Sequence, residues 1–272
     1  MVKPILYSMK PIDIVIIVSV AVVTIVACTM ITDNNQSEDT TERIGIIGAM
    51  DTEITMLKEA MDIEKVESFD DITFYSGKLA GRDVVLVKCG MGKVNAGICT
   101  LALITTYNAK IIINSGVAGS LDNRLDIEDI VVSSDAVQHD FDVSPIGFKK
   151  GEIPYTGKIS FEADKDLRKK AVEAIEACAS DIKMMEGRVC TGDQFISSDD
   201  QKSSIIGPFG GLCCDMEGGA IAQVCYLNDI PFVLVRAISD KADGSASEDY
   251  EEFEAHAAKR SAAVVKYMIE HM

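Results

Sequence analysis

Five stretches of this chain set acids or glycines directly after short apolar runs, where open α/β sheets gather their chemistry. Gly45-Ile46-Ile47-Gly48-Ala49-Met50-Asp51-Thr52-Glu53 carries two glycines and two acids. The glycines lack the G-x-G-x-x-G spacing, so no dinucleotide site is indicated. Taken alone, the stretch reads as a strand-to-helix turn whose acids favour a helix N-terminus. Cys89-Gly90-Met91-Gly92-Lys93 permits close backbone approach to a ligand, and serves equally as a plain turn. Asn114-Ser115-Gly116-Val117-Ala118-Gly119-Ser120 suits a ligand lying against bare backbone, with tight helix packing as the alternative. In Asp215-Met216-Glu217-Gly218-Gly219-Ala220, Glu217 opens an otherwise apolar helix. A carboxylate there must be exposed, paired or functional, or be an acid held by the helix dipole. In Arg236-Ala237-Ile238-Ser239-Asp240, the aspartate after the apolar run is placed for acid chemistry or for capping a turn.

The elements that must position these residues alternate along the chain. Strands are expected at Arg43 to Ile47, Ile72 to Lys78, Asp83 to Lys88, Lys110 to Asn114, Ile127 to Ser133, Arg188 to Thr191 and Pro231 to Ala237. Helices are expected at Thr52 to Met61, Lys93 to Tyr107, Lys165 to Ala179, Met216 to Leu227 and Glu251 to His271. Several strands are uniformly apolar, which requires a sheet covered on both faces. The expectation is a single three-layer α/β domain from residue 43 to 272, with no internal repeat.

The chain has 272 residues, 47% of them apolar, and a formal net charge of −17. That charge argues against nucleic acid or an anionic membrane surface as a partner and favours a neutral or cationic small molecule. Residues 1–28 stand apart: Lys3 and Lys10 precede an apolar run that ends in Ile25-Val26-Ala27-Cys28. This reads as a secretory signal of lipoprotein type, with Cys28 the lipidated residue, or as an uncleaved membrane anchor. Residues 29–42, polar and acidic, read as a disordered tether. Export with membrane anchoring through this segment alone is the expectation, and a cytoplasmic enzyme with a mis-called start is the alternative. The seven later cysteines, read as buried free thiols, fit a reducing compartment better. No spacing of His139, His256, His271 and the cysteines makes a metal site.

Together the strings RIGIIGAM, CGMGKVNA, IIINSGVAGSL, DIVVSSDAVQHDFDV, TGDQFI, DMEGGAIAQVC and PFVLVRAISD resemble, in order and spacing, the bacterial 5′-methylthioadenosine/S-adenosylhomocysteine nucleosidases. The resemblance spans essentially all of residues 43–272. It implies a nucleoside phosphorylase-like αβα fold with a mixed central sheet, a homodimer, no cofactor, and hydrolysis of the N-glycosidic bond. It implies that Asp240 protonates the leaving purine, Glu53 activates water, and Glu217 binds the ribose hydroxyls. Such a division of labour between carboxylates follows the logic of sugar hydrolases. It further implies that Met216 packs on ribose, that Phe195 stacks on adenine with Ile196 reading its edge, and that Ser239 positions Asp240. Val117, Ala118 and Gly119 line the sugar and base site, and Met50, Met91 and Tyr250 wall the 5′-thio pocket. Val143, Ile146 and Phe148 are expected to close a neighbouring subunit's pocket across the dimer. The chain departs from the family's commoner aromatic at Ile146 and from its usual Phe at Tyr250, which puts the preferred 5′ group in doubt. His139 is expected to be structural or at the interface.

Three rivals remain. A purine nucleoside phosphorylase would need arginines on phosphate, and no arginine lies in the glycine turns. An aminodeoxyfutalosine nucleosidase would share the catalytic set. A surface binding protein on the same fold would have no need of all three carboxylates.

Overall fold

The computed structural model describes residues 41–272, which form one compact unit. The signal or anchor, Cys28 and the tether as far as residue 40 lie outside the described residues. Ten strands, β1 (Arg43–Gly48), β2 (Asp62–Phe69), β3 (Ile72–Leu79), β4 (Arg82–Lys88), β5 (Ala109–Ser120), β6 (Ile130–Gln138), β7 (Ser160–Glu162), β8 (Met184–Thr191), β9 (Cys213–Asp215) and β10 (Phe232–Asp240), form one mixed sheet. The helices are α1 (Asp51–Ala60), α2 (Lys93–Thr105), α3 (Lys165–Cys178), α4 (Asp199–Phe209), α5 (Gly218–Leu227) and α6 (Ala246–Glu270).

Alternation of side chains along each strand builds two cores. Ile46, Val84 and Leu86 face α1, α3 and α6, where Leu57, Ile175 and Val265 meet them. Ile47, Val85 and Val87 face the opposite side, where Leu103 of α2 and Ile221 of α5 pack. This is the expected three-layer arrangement with a mixed sheet. The sheet also curls. β5 pairs with β1, β10 and β9, β10 pairs with β6, and β8 links β6 to β9, so five strands close on themselves. Among the described residues, no helix is long and apolar enough to cross a membrane.

Four elements are absent from the sequence expectation, and two strands run on beyond it. β2, with the sequence DIEKVESF, is an exposed edge strand and carries no apolar run to betray it. β7 and β9 are three residues long. α4 carries Gly207 and Pro208, residues that usually mark a break, in its last turn, and is held by Ser198 capping the Gln201 N–H. The run from Ser115 to Ser120, read as following a strand, is the second half of β5, and β6 likewise extends to Gln138.

Candidate active site

The carboxyl ends of β1, β5 and β10 and the entries to α1 and α5 surround a cavity of about 470 Å³, within the range of small-molecule sites. Asp240, Glu53, Glu217, Met50, Met91, Val117, Ala118, Gly119, Phe195, Ile196, Met216, Ser239 and Tyr250 all line it, together with Ala49, Gln194, Cys214, Asp215 and Ser247. Val143, Ile146 and Phe148 do not. They lie on the loop after β6, where Ile146 is 73% exposed.

Glu53 occupies the first turn of α1 and is buried. Its carboxylate turns back to accept from the N–H groups of Ala49 at 2.5 Å and Met50 at 3.1 Å, as the acid of a capping box does. Its other oxygen accepts from the Val117 N–H at 3.0 Å. Burial raises its pKa above the ordinary value, against the opposing pull of Arg236 and the three N–H donors.

Asp240 ends β10 just after a register shift: Ile238 pairs with Ala118, Asp240 with Gly119, and Ser239 is the extra residue. Such a bulge re-aims the side chain that follows it. Ser239 donates to one Asp240 oxygen at 2.8 Å and the Ala242 N–H to the other at 2.9 Å. The acid reading and the capping reading of Asp240 are therefore compatible. Burial raises its pKa despite these two donors. A Cβ on Gly119 would stand 2.7 Å from the Asp240 carboxylate, so only glycine leaves room for the acid.

Glu217 precedes α5 and accepts from the Gly92 N–H at 2.8 Å. Burial first, and the neighbouring Asp215 second, raise it to about 7, while Arg236 and the Gly92 N–H pull the other way.

Sequence reasoning missed the cation beneath these acids. Arg236 is 1% exposed and donates to Asp215 through Nε at 2.9 Å and Nη2 at 2.6 Å, and to Asn114. Its Nη2 lies 4.0 Å from Glu217. A Cβ on Gly116 would sit 2.1 Å from Arg236 Nη1 and 2.7 Å from Glu53 Oε1. The small residues of β5 thus make space for buried charges as well as for a ligand. Asp215 also accepts from the Gly218 N–H at 3.0 Å, and Thr191 accepts from the Gly219 N–H at 2.6 Å, so the two cap α5. An arginine does lie beside a glycine of the site, but its guanidinium is committed to Asp215. The continuous apolar run before Arg236 in β10 gave no signal of its partner 21 residues away.

At the cavity mouth the Phe195 and Tyr250 rings meet edge to face at 5.5 Å. The Tyr250 hydroxyl contacts Met50 Sδ at 3.1 Å. The seven cysteines of the described residues are free, and Cys178 alone among them is exposed.

A family model of the Phosphorylase superfamily matches residues 43–270. A Staphylococcus haemolyticus 5′-methylthioadenosine/S-adenosylhomocysteine nucleosidase is 40% identical over 83% of this chain and 98% of its own. The Neisseria meningitidis nucleosidase, solved with methylthio-immucillin-A, superposes with a TM-score of 0.81 at 35% identity, covering 85% of this chain and 99% of its own. A Helicobacter pylori futalosine hydrolase also has a TM-score of 0.81, at 31% identity, covering 85% of this chain and 99% of its own. A chain with four buried carboxylates around a mostly apolar cavity, matched by these relatives along nearly their whole length, belongs to the phosphorylase superfamily and, within it, to the 5′-methylthioadenosine/S-adenosylhomocysteine nucleosidases, which are N-glycosyl hydrolases.

Proposed function

We propose that this protein hydrolyses 5′-methylthioadenosine and S-adenosylhomocysteine to adenine and the 5-thioribose product. The observation that carries the reading is the convergence of Asp240, Glu53 and Glu217, all buried, on one cavity with an aromatic mouth. Asp240 delivers a proton to purine N7 as the C1′–N9 bond breaks. A raised pKa lets it hold its proton closer to neutral pH, and a purine covering it excludes more water and raises it further. The leaving adenine departs neutral and the ribosyl group becomes oxocarbenium-like. Glu217, when ionised, accepts from the ribose hydroxyls and stabilises the cation electrostatically. Water attacks C1′ while Glu53 takes its proton. Three N–H donors fix the Glu53 oxygens, and burial makes the carboxylate more basic than one in water. Phosphorolysis would set a phosphate against three carboxylates with Arg236 already paired to Asp215.

The futalosine hydrolase neighbour keeps one other substrate in view, and the Tyr250 hydroxyl adds a polar tip at the open end of the cavity. Adenine release by the purified protein from methylthioadenosine, S-adenosylhomocysteine and aminodeoxyfutalosine, compared at equal concentration, tests the choice. Preference for the two thio-nucleosides supports the proposal, and release from aminodeoxyfutalosine alone overturns it.

The proposal includes a homodimer. Val94, Ile98 and Leu101 form an exposed apolar stripe at helical spacing on α2, and Ile146 adds a further exposed apolar side chain. Sedimentation of the wild type and of Ile98→Asp checks it: a dimer that the substitution dissociates is expected. Export and anchoring through residues 1–28 complete the proposal on sequence grounds. Membrane fractionation of cells making the full chain or Cys28→Ser decides between lipidation, which needs Cys28, and a spanning anchor, which does not.

A further inference from the structure

Helix α2 begins without a cap of its own. Its N-cap is Gly92, at φ +98°, which has no side chain to accept a bond, and its first turn contains no acid. The first N–H groups of a helix need acceptors, and here two come from distant segments. Glu217 takes the Gly92 N–H at 2.8 Å, and Asp193 Oδ1, from the loop after β8, takes the Lys93 N–H at 2.8 Å. Asp193 is itself held. Its N–H donates to Asp140 at 2.9 Å, and the other Asp140 oxygen accepts from Lys93 Nζ at 2.6 Å. The bonds form a closed ring joining the start of α2, the end of β6 and the loop after β8. Behind the ring, Gly192 packs on the buried His139 imidazole, where a Cβ would come within 2.4 Å of Nε2. In front, the Asn95 amide donates to the Met91 carbonyl at 2.8 Å and fixes the turn. Two residues beyond Asp193 stands Phe195, at the cavity mouth. Lone surface ion pairs contribute little. This ring instead sets carboxylates on backbone donors at a helix N-terminus, where charge-assisted bonds and the helix dipole act together.

We propose that Asp193, with Asp140 and Lys93, is a positioning residue for the reaction: it caps α2 from outside, holding the Gly92 N–H on Glu217 and the Phe195 loop on the cavity. The proposal rests on the roles given above to Glu217 and Phe195. Asp193→Ala removes the cap. Asp193→Asn keeps an oxygen that accepts from the Lys93 N–H. For Asp193→Ala the expected loss in kcat/KM is roughly five- to twentyfold, the size of one lost cap. The loss divides between a lower kcat, from a misplaced Glu217, and a higher KM, from a freed Phe195. Asp193→Asn recovers most of it. Hydrogen exchange over residues 89–96 of the same full-length proteins supplies a readout that needs no turnover: faster in Asp193→Ala, near wild type in Asp193→Asn. Unchanged exchange and kinetics in Asp193→Ala overturn the proposal, as does an Asp193→Asn variant as impaired as Asp193→Ala. Should the wild type release no adenine, the hydrolase reading fails by itself, and exchange over residues 89–96 still decides whether Asp193 is the cap.

Discussion

Replacing Glu217 by glutamine should make the protein more stable and nearly inactive at the same time. The carboxyl is buried, beside Asp215, and its pKa stands at about 7 against an ordinary 4.5. A carboxyl whose pKa is raised by folding holds its proton more tightly in the native state. It favours the fold fully below about pH 4.5, and that contribution is lost as pH rises through about 7. At about 1.4 kcal/mol for each pKa unit, the ionised side chain costs the native state about 3 kcal/mol at pH 8. Glu217→Gln removes the charge, fills the same space and keeps an oxygen for the Gly92 N–H. The variant should therefore gain about 3 kcal/mol at pH 8 and almost nothing at pH 4.5. A domain of this size gains about 2–4 °C in Tm for each kcal/mol, so the rise at pH 8 should be roughly 6–12 °C. Urea unfolding and thermal melts of both proteins across that pH range, with adenine release measured on the same samples, provide the assay. A variant no more stable than wild type at pH 8, or one whose advantage grows toward acid, would refute the reasoning.

The remaining predictions concern the groups around Glu217. Asp240→Asn should lower kcat by about 10²–10⁴, the usual worth of a positioned acid, while equilibrium binding of a non-hydrolysable analogue stays within a few-fold; near-normal turnover would remove Asp240 from the acid role. Arg236→Met leaves Asp215 buried without its partner and should cost about 3–5 kcal/mol in urea unfolding, and a loss under 1 kcal/mol would contradict the buried ion pair. Gly116→Ala puts a methyl group 2.1 Å from the guanidinium, so it should destabilise by about 1–3 kcal/mol and depress turnover, whereas Gly207→Ala, with open space around its Cβ, should be active. The kcat/KM profile should rise through about pH 7 as Glu217 ionises; a profile flat from pH 5 to 9 would contradict that assignment.

The acids of the site were legible in the sequence because each follows an apolar strand or opens a helix, and residues at those points converge when strands lie side by side. Asp240 and Glu53 are 187 positions apart, yet β10 and β1 flank the same strand, β5. Arg236 was not legible. A cation inside an apolar strand makes sense only with its partners, and Asp215 and Asn114 arrive from other strands. The glycines of β5 posed the same difficulty. Their small size reads equally as room for a ligand or for packing, and it takes the positions of Arg236, Glu53 and Asp240 to show that buried charges need the space. Among the elements, the edge strand β2 escaped notice because Ile63, Val66 and Phe69 are scattered among polar residues and make no apolar run, and α4 because Gly207 and Pro208 lie within its last turn.

The central claim, that these carboxylates direct water rather than phosphate to the sugar carbon, is tested most directly by adenine release from methylthioadenosine by the purified protein in phosphate-free buffer and again with phosphate added. The account predicts full activity without phosphate, a free thioribose product and no ribosyl phosphate in either buffer. Release that requires phosphate and yields the sugar 1-phosphate would contradict it.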